Sequence, residues 1–187
     1  MNLKFEDLYY IADKLNANDI RWVIGSSVLL YFHGIVDKPN DIDIIIDEKD
    51  IVRAKKIFDE IGIEENKENM EPFLTEYFYT YIVKNTYVDV MCNFALRHDY
   101  GIYRFILDEE AIVENKKVND SVLPLSSLED WYVLYQLMPG RESKIKMIED
   151  YLKENGVESF GLLQRALKQE LPVKVVESIK LIYDVKE

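Results

Sequence analysis

Two β-branched runs flank a Gly-Ser turn and a short apolar segment in the stretch from Trp22 to Asp47: Trp22-Val23-Ile24-Gly25-Ser26-Ser27, then Val28 to His33-Gly34, then Asp41-Ile42-Asp43-Ile44-Ile45-Ile46. This order predicts strand, turn, helix and strand. The first strand is expected over Ile20–Ile24 and the helix over Ser27–Phe32, with Gly34 as its C-terminal stop. The second strand is expected over Asp41–Asp47, and its isoleucines read as buried on both faces.

The chemistry follows from the same residues. Strand residues i and i+2 point to one face, so Asp41 and Asp43 share a side if the segment is extended. Two anions held that close repel, and one keeps its proton unless a cation sits between them. A divalent metal is the natural remedy. Upstream, Gly25, Ser26 and Ser27 open a helix, whose unpaired N–H groups and dipole favour phosphate. Glycine lets backbone approach closely and serine adds a hydroxyl donor. Phosphate on one side and metal on the other suggest a metal-nucleotide site.

Aromatic and β-branched residues dominate Tyr77–Val83 and Thr86–Met91, and Lys84-Asn85 between them reads as a hairpin turn with Asn85 tolerating left-handed geometry. Asp89 is the one carboxylate in the second of these strands. An acid there is costly to bury without compensation. It belongs either at a surface-facing edge or in the metal site.

Gly25-Ser26 followed by Asp41-x-Asp43 on the next strand resembles the signature of the DNA polymerase β-type nucleotidyltransferase superfamily. That resemblance implies a third carboxylate on a later strand, which Asp89 matches. It also implies catalytic, metal-holding roles for Asp41, Asp43 and Asp89, with two Mg²⁺ ions (or Mn²⁺) as cofactor, and terminal-phosphate contacts from Gly25, Ser26 and Ser27. A second segment, Leu125-Ser126-Ser127-Leu128-Glu129-Asp130 followed by Gly140-Arg141-Glu142-Ser143-Lys144, is similar to one in bacterial and archaeal nucleotidyltransferase-like proteins, including AbiEii-type toxins. There a Leu-x-x-Leu-Glu-Asp helix precedes Arg-x-x-Lys-Asp. Here Ile145 replaces the aspartate, and Tyr135 stands where a basic residue is often found. Arg141 and Lys144 would then reach triphosphate oxygens.

The implied activity is metal-dependent transfer of a nucleoside monophosphate from a nucleoside triphosphate, ATP among them, to a hydroxyl acceptor, releasing pyrophosphate. The alternative is an inactive or weakly catalytic interaction module on the same fold, such as a toxin–antitoxin component with a protein partner. The net charge of −12 argues against broad nucleic-acid binding, which needs Lys and Arg to neutralise phosphates. A small-molecule or protein acceptor is therefore expected ahead of RNA.

The 187 residues, 48% of them hydrophobic, can bury one substantial core with a small helical lobe. An α/β (α+β) fold is expected: a mixed sheet flanked by helices over 1–124, and a C-terminal helical lobe over 125–187. Helices are expected over Phe5–Leu15, Lys49–Ile61 with Asp47 as cap, Arg141–Asn155, Val157–Gln169 and Pro172–Tyr183. Ser126 with Glu129 reads as a capping box for the helix carrying Leu128, Trp131, Leu134, Tyr135 and Met138. Ile102–Leu107 and Ala111–Val118 read as short strands or connections, and Glu64–Glu71 as a polar loop. No segment approaches a membrane span, and Asn2-Leu3-Lys4-Phe5-Glu6-Asp7 is not a signal peptide. The single cysteine, Cys92, reads as a buried apolar residue in a cytoplasmic protein. His33 reads as a structural hydrogen-bonder, Lys38 as a solvated loop charge, and Arg97-His98-Asp99 lacks the further histidines of a phosphohydrolase site.

Overall fold

The protein is described here by a computed structural model over residues 3–66 and 70–183. In chain order its elements are α1 (Phe5–Ala17), β1 (Trp22–Ile24), α2 (Ser26–Phe32), β2 (Ile42–Ile46), α3 (Ile51–Ile61), β3 (Gly62–Glu65), β4 (Tyr77–Val83), β5 (Thr86–Cys92), β6 (Ala95–His98), β7 (Gly101–Arg104), β8 (Glu114–Val118), β9 (Ser121–Leu125), α4 (Leu128–Gln136), α5 (Glu142–Asn155), α6 (Phe160–Ala166) and α7 (Val173–Tyr183). Seven strands form one mixed sheet in the order β3-β4-β5-β2-β1-β9-β8, and β6 pairs with β7 in a separate ribbon.

β2 lies inside this sheet, antiparallel to β1 and parallel to β5. With strands on both sides and cover on both faces, Ile42, Ile44, Ile45 and Ile46 are all buried. Each such side chain contributes about 1.5–3 kcal/mol over an exposed one, so the expected double-sided burial holds β2 firmly. Asp43 alone breaks the pattern, being only partly covered.

α1 packs on β9 and α3, α2 on β2 and α4, and α4 meets α5, α6 and α7. One continuous hydrophobic cluster links the sheet isoleucines to Trp131 and Leu134 of α4, Ile148 of α5, Leu163 of α6 and Ile179 of α7. Gly34, at φ +70°, stops α2 as its sequence suggests, with its N–H bonded back to the Tyr31 carbonyl at 2.9 Å.

Several local expectations shift. The cap of α4 is Ser127, whose side chain accepts the Asp130 N–H at 2.9 Å; Ser126 is drawn away by the Ile24 carbonyl. Asp47 does not cap α3. Its Oδ1 accepts the Lys49 N–H in the preceding turn, and the helix opens after Asp50. Glu64 and Glu65, expected in a loop, extend β3 along β4. Residues 67–69 of that expected loop lie outside the described residues, as does Asn2 of the expected non-signal segment. In the β4–β5 hairpin it is Lys84 that takes a positive φ, +54°, where Asn85 was expected to. Among the described residues no helix is long and apolar enough to cross a membrane.

Candidate active site

The turn between β1 and α2 is shaped by a side chain that lies far along the sequence. Gly25 has an ordinary extended backbone (φ −131°), so its glycine is required for space and not for conformation. A Cβ there would stand 2.0 Å from Cζ2 of Trp131. The indole is fixed in turn: its Nε1–H donates to Ser126 Oγ at 2.8 Å, and that hydroxyl donates to the Ile24 carbonyl at 2.7 Å. The close approach at Gly25 therefore belongs to α4.

Ser26 does adopt a left-handed conformation (φ +51°), uncommon for a residue with a side chain. Its hydroxyl is held by a hydrogen-bonded chain. Lys144 Nζ donates to the Tyr135 hydroxyl at 3.3 Å, and Tyr135 donates to Ser26 Oγ at 3.1 Å. The Ser26 hydroxyl also lowers the pKa of the Asp43 carboxyl, against the effect of its burial. Ser27 serves otherwise: its Oγ accepts the Asn40 N–H and donates to the Asp41 carbonyl, bracing the loop into β2.

Asp41, Asp43 and Asp89 line one cavity of about 360 Å³, together with Ser26, Asn40, Tyr135, Arg141 and Lys144. Its other wall is apolar, formed by Phe73, Phe78, Phe94, Trp131 and three methionines. Of the residues expected to bind nucleotide, Ser26, Arg141 and Lys144 face this space. Gly25 and Ser27 do not line it; they support its floor.

Asp43 and Asp89 are direct register partners on parallel strands. Asp89 is buried and accepts a 2.6 Å hydrogen bond from Thr80 Oγ1 on β4. Burial, then the charges of Asp41 and Asp89, push the Asp43 carboxyl up to about 7; Ser26 and Lys144 oppose the shift. Desolvation, then Arg141, lowers the pKa of Lys144, and burial keeps Tyr135 protonated as a donor.

These residues suit Mg²⁺ by chemistry. The donors are all carboxylate oxygens, and the repulsion from Asp41 and Asp89, which adds to burial in raising the Asp43 pKa, is what a divalent cation relieves. Among the described residues no three His, Cys, Asp or Glu side chains already stand as a cage for an ion. The protein would thus supply part of a shell, with water and substrate phosphates completing it, as Mg²⁺ prefers.

Other residues lie elsewhere. His33 packs its ring against Tyr151, with Nδ1 3.4 Å from the tyrosine hydroxyl. Lys38 is exposed, and Arg97-His98-Asp99 lies within the β6–β7 ribbon, its first two residues paired with Ile102 and Gly101. Cys92 is buried, its thiol pushed up to about 11 mainly by that burial. The sequence reading missed Tyr135 and Trp131 as site residues because both fit an apolar helical stripe. The available signal was the polar tip of each ring, which needs a partner once buried.

No curated protein matches the chain. Solved structures do: the Thermotoga maritima protein TM1012, described as a nucleotidyltransferase, superposes with a TM-score of 0.58 at 24% identity, over 80% of this chain and 92% of that one. ANT(2'')-Ia in complex with adenylyl-2''-tobramycin gives 0.57 at 11% identity, over 98% and 100%. The lincosamide antibiotic adenylyltransferase LnuA, lincomycin-bound, gives 0.55 at 17%, over 81% and 99%. At these identities the likeness is one of fold, a mixed sheet with flanking helices. The family described as "nucleotidyl transferase of unknown function (DUF2204)" matches residues 4–182, and the chain belongs to that family.

Proposed function

We propose that this protein transfers a nucleoside monophosphate from a nucleoside triphosphate to a hydroxyl group, releasing pyrophosphate. One observation carries the reading: three carboxylates, two cationic side chains and the Ser26 hydroxyl line a single cavity. Arg141 and Lys144 are matched to phosphate oxygens, the guanidinium through paired donors and the ammonium as a point charge. Asp41, Asp43 and Asp89 would hold Mg²⁺, which when bound neutralises phosphate charge and stabilises entering and leaving oxygens.

In the reaction the acceptor oxygen bonds to the α-phosphorus while the bond from that phosphorus to the bridging oxygen breaks. The acceptor's proton passes to a carboxylate, for which Asp89 is suited by its place at the cavity wall. Pyrophosphate leaves with the electron pair of the broken bond, against Arg141 and Lys144. Two fold neighbours are described with small molecules, lincomycin and adenylyl-2''-tobramycin. With the net charge of −12, this favours a small-molecule acceptor over RNA.

Calorimetry with each nucleoside triphosphate, with and without Mg²⁺, tests the proposal. Saturable binding that needs the metal is expected, followed by pyrophosphate release once an acceptor is supplied. A folded sample that binds no triphosphate would instead make the chain an interaction module on a nucleotidyltransferase fold.

A further inference from the structure

We infer that Tyr135 is a positioning residue for the terminal phosphates, holding Lys144 and Ser26 at one set of oxygens; this rests on the nucleotidyl-transfer reading above. The two groups come from separate elements of the fold. Ser26 opens α2, and Lys144 stands in the first turns of α5. No direct contact between them is needed, because the phenol of Tyr135 reaches both, at 3.1 Å and 3.3 Å.

The direction of each bond follows from the donors available. An ammonium can only donate, so Tyr135 oxygen accepts from Lys144 and spends its own proton on Ser26. Ser26 then has its proton free for Asp43 or for a phosphate oxygen. Lys144 uses one of three N–H groups on the phenol and keeps the others for substrate. The ammonium also sits 5.0 Å from the centre of the Tyr135 ring, so the face and the edge of one side chain both fix it.

Tyr135 is itself closely packed. It is 1% exposed, and its ring lies 5.3 Å from that of Trp131, which is wedged over Gly25 and bonded to Ser126. A flexible basic residue at this position would bring its own charge to phosphate. The tyrosine brings none and instead orders two neighbours that do.

The test uses Tyr135→Phe, which keeps the ring and removes only the hydroxyl, with calorimetric binding of a nucleoside triphosphate and the matching monophosphate in Mg²⁺. Triphosphate affinity is expected to fall about tenfold, the worth of a hydrogen bond to a charged group, while monophosphate affinity stays unchanged. In the pair cycle with Lys144→Met, the two losses are expected to be less than additive, because without the lysine the phenol has only Ser26 left to position. Equal losses for both nucleotides, no loss for either, or additive losses in the cycle would overturn the role of Tyr135 while leaving nucleotidyl transfer standing. A wild-type protein that binds no triphosphate would overturn both.

Discussion

Asp43 of β2 and Asp89 of β5 face each other as register partners across a parallel strand pair, and Asp89 is also opposite Thr80 across the antiparallel pair with β4. The first relation crowds two anions; the second gives one of them a hydrogen bond at 2.6 Å. On the other partner, burial and then the charges of Asp41 and Asp89 push the Asp43 carboxyl up to about 7.

Asp43→Asn should lower nucleotidyl transfer by at least about a thousandfold, on the order expected for loss of a group that stabilises charge in the transition state. The fold should remain, since the substitution relieves repulsion. Steady-state rates beside a circular dichroism melt check this, and turnover close to wild type would remove the carboxylate from the mechanism.

Millimolar Mg²⁺ should raise the melting temperature of the wild-type protein by roughly 3–5 °C, as for a ligand at about ten times its dissociation constant. The rise should vanish in an Asp41→Asn, Asp43→Asn double variant and on addition of EDTA. A thermal shift assay reads both, and an unchanged rise in the double variant would place the metal elsewhere.

Gly25→Ala should destabilise the protein by about 1–3 kcal/mol, the usual cost of overpacking a filled core, because the new Cβ meets the Trp131 ring at 2.0 Å. In a Trp131→Leu background, where that space is vacated, the same alanine should cost less. Urea midpoints for the two variants decide the point; a freely tolerated alanine would mean the indole does not press on the turn.

Asp130 offers a pH prediction. Burial lifts its carboxyl to about 6, outweighing the lowering by Arg165, whose guanidinium lies 3.6 Å away. The folded state therefore binds a proton there more tightly than the unfolded chain. Its contribution to stability is full below the ordinary carboxylate range and is lost as pH rises toward 6. Asp130→Asn should flatten the decline in urea midpoint between pH 4.5 and 7.5 and gain roughly 1–3 kcal/mol at the upper end. An unchanged slope would show that Arg165 balances the charge fully.

Much of the fold was legible in order along the chain. The isoleucine run of β2, the aromatic strands β4 and β5, and the amphipathic stripes of α1, α5 and α7 are local patterns, and each appears near its expected place. Misplacements occurred where two neighbouring residues compete for one role. Ser126 and Ser127 are equivalent as caps in sequence, but the Ile24 carbonyl and the Trp131 indole claim Ser126 and leave Ser127 to α4. Lys84 and Asn85 likewise traded places because strand twist, not side-chain preference alone, sets which residue of a hairpin turn takes positive φ.

The sequence by itself determined the types of chemistry available: a Gly-Ser turn, a pair of carboxylates at i and i+2, a lone strand aspartate, and an Arg-Lys segment at a helix start. Periodicity and residue type are local properties, so these survive reading in one dimension. Only tertiary structure decided that Asp89 stands opposite Asp43, that Trp131 fills the space over Gly25, and that Tyr135 joins Lys144 to Ser26. Strand register and helix docking are fixed by packing between segments distant in the chain, and no single segment carries that information.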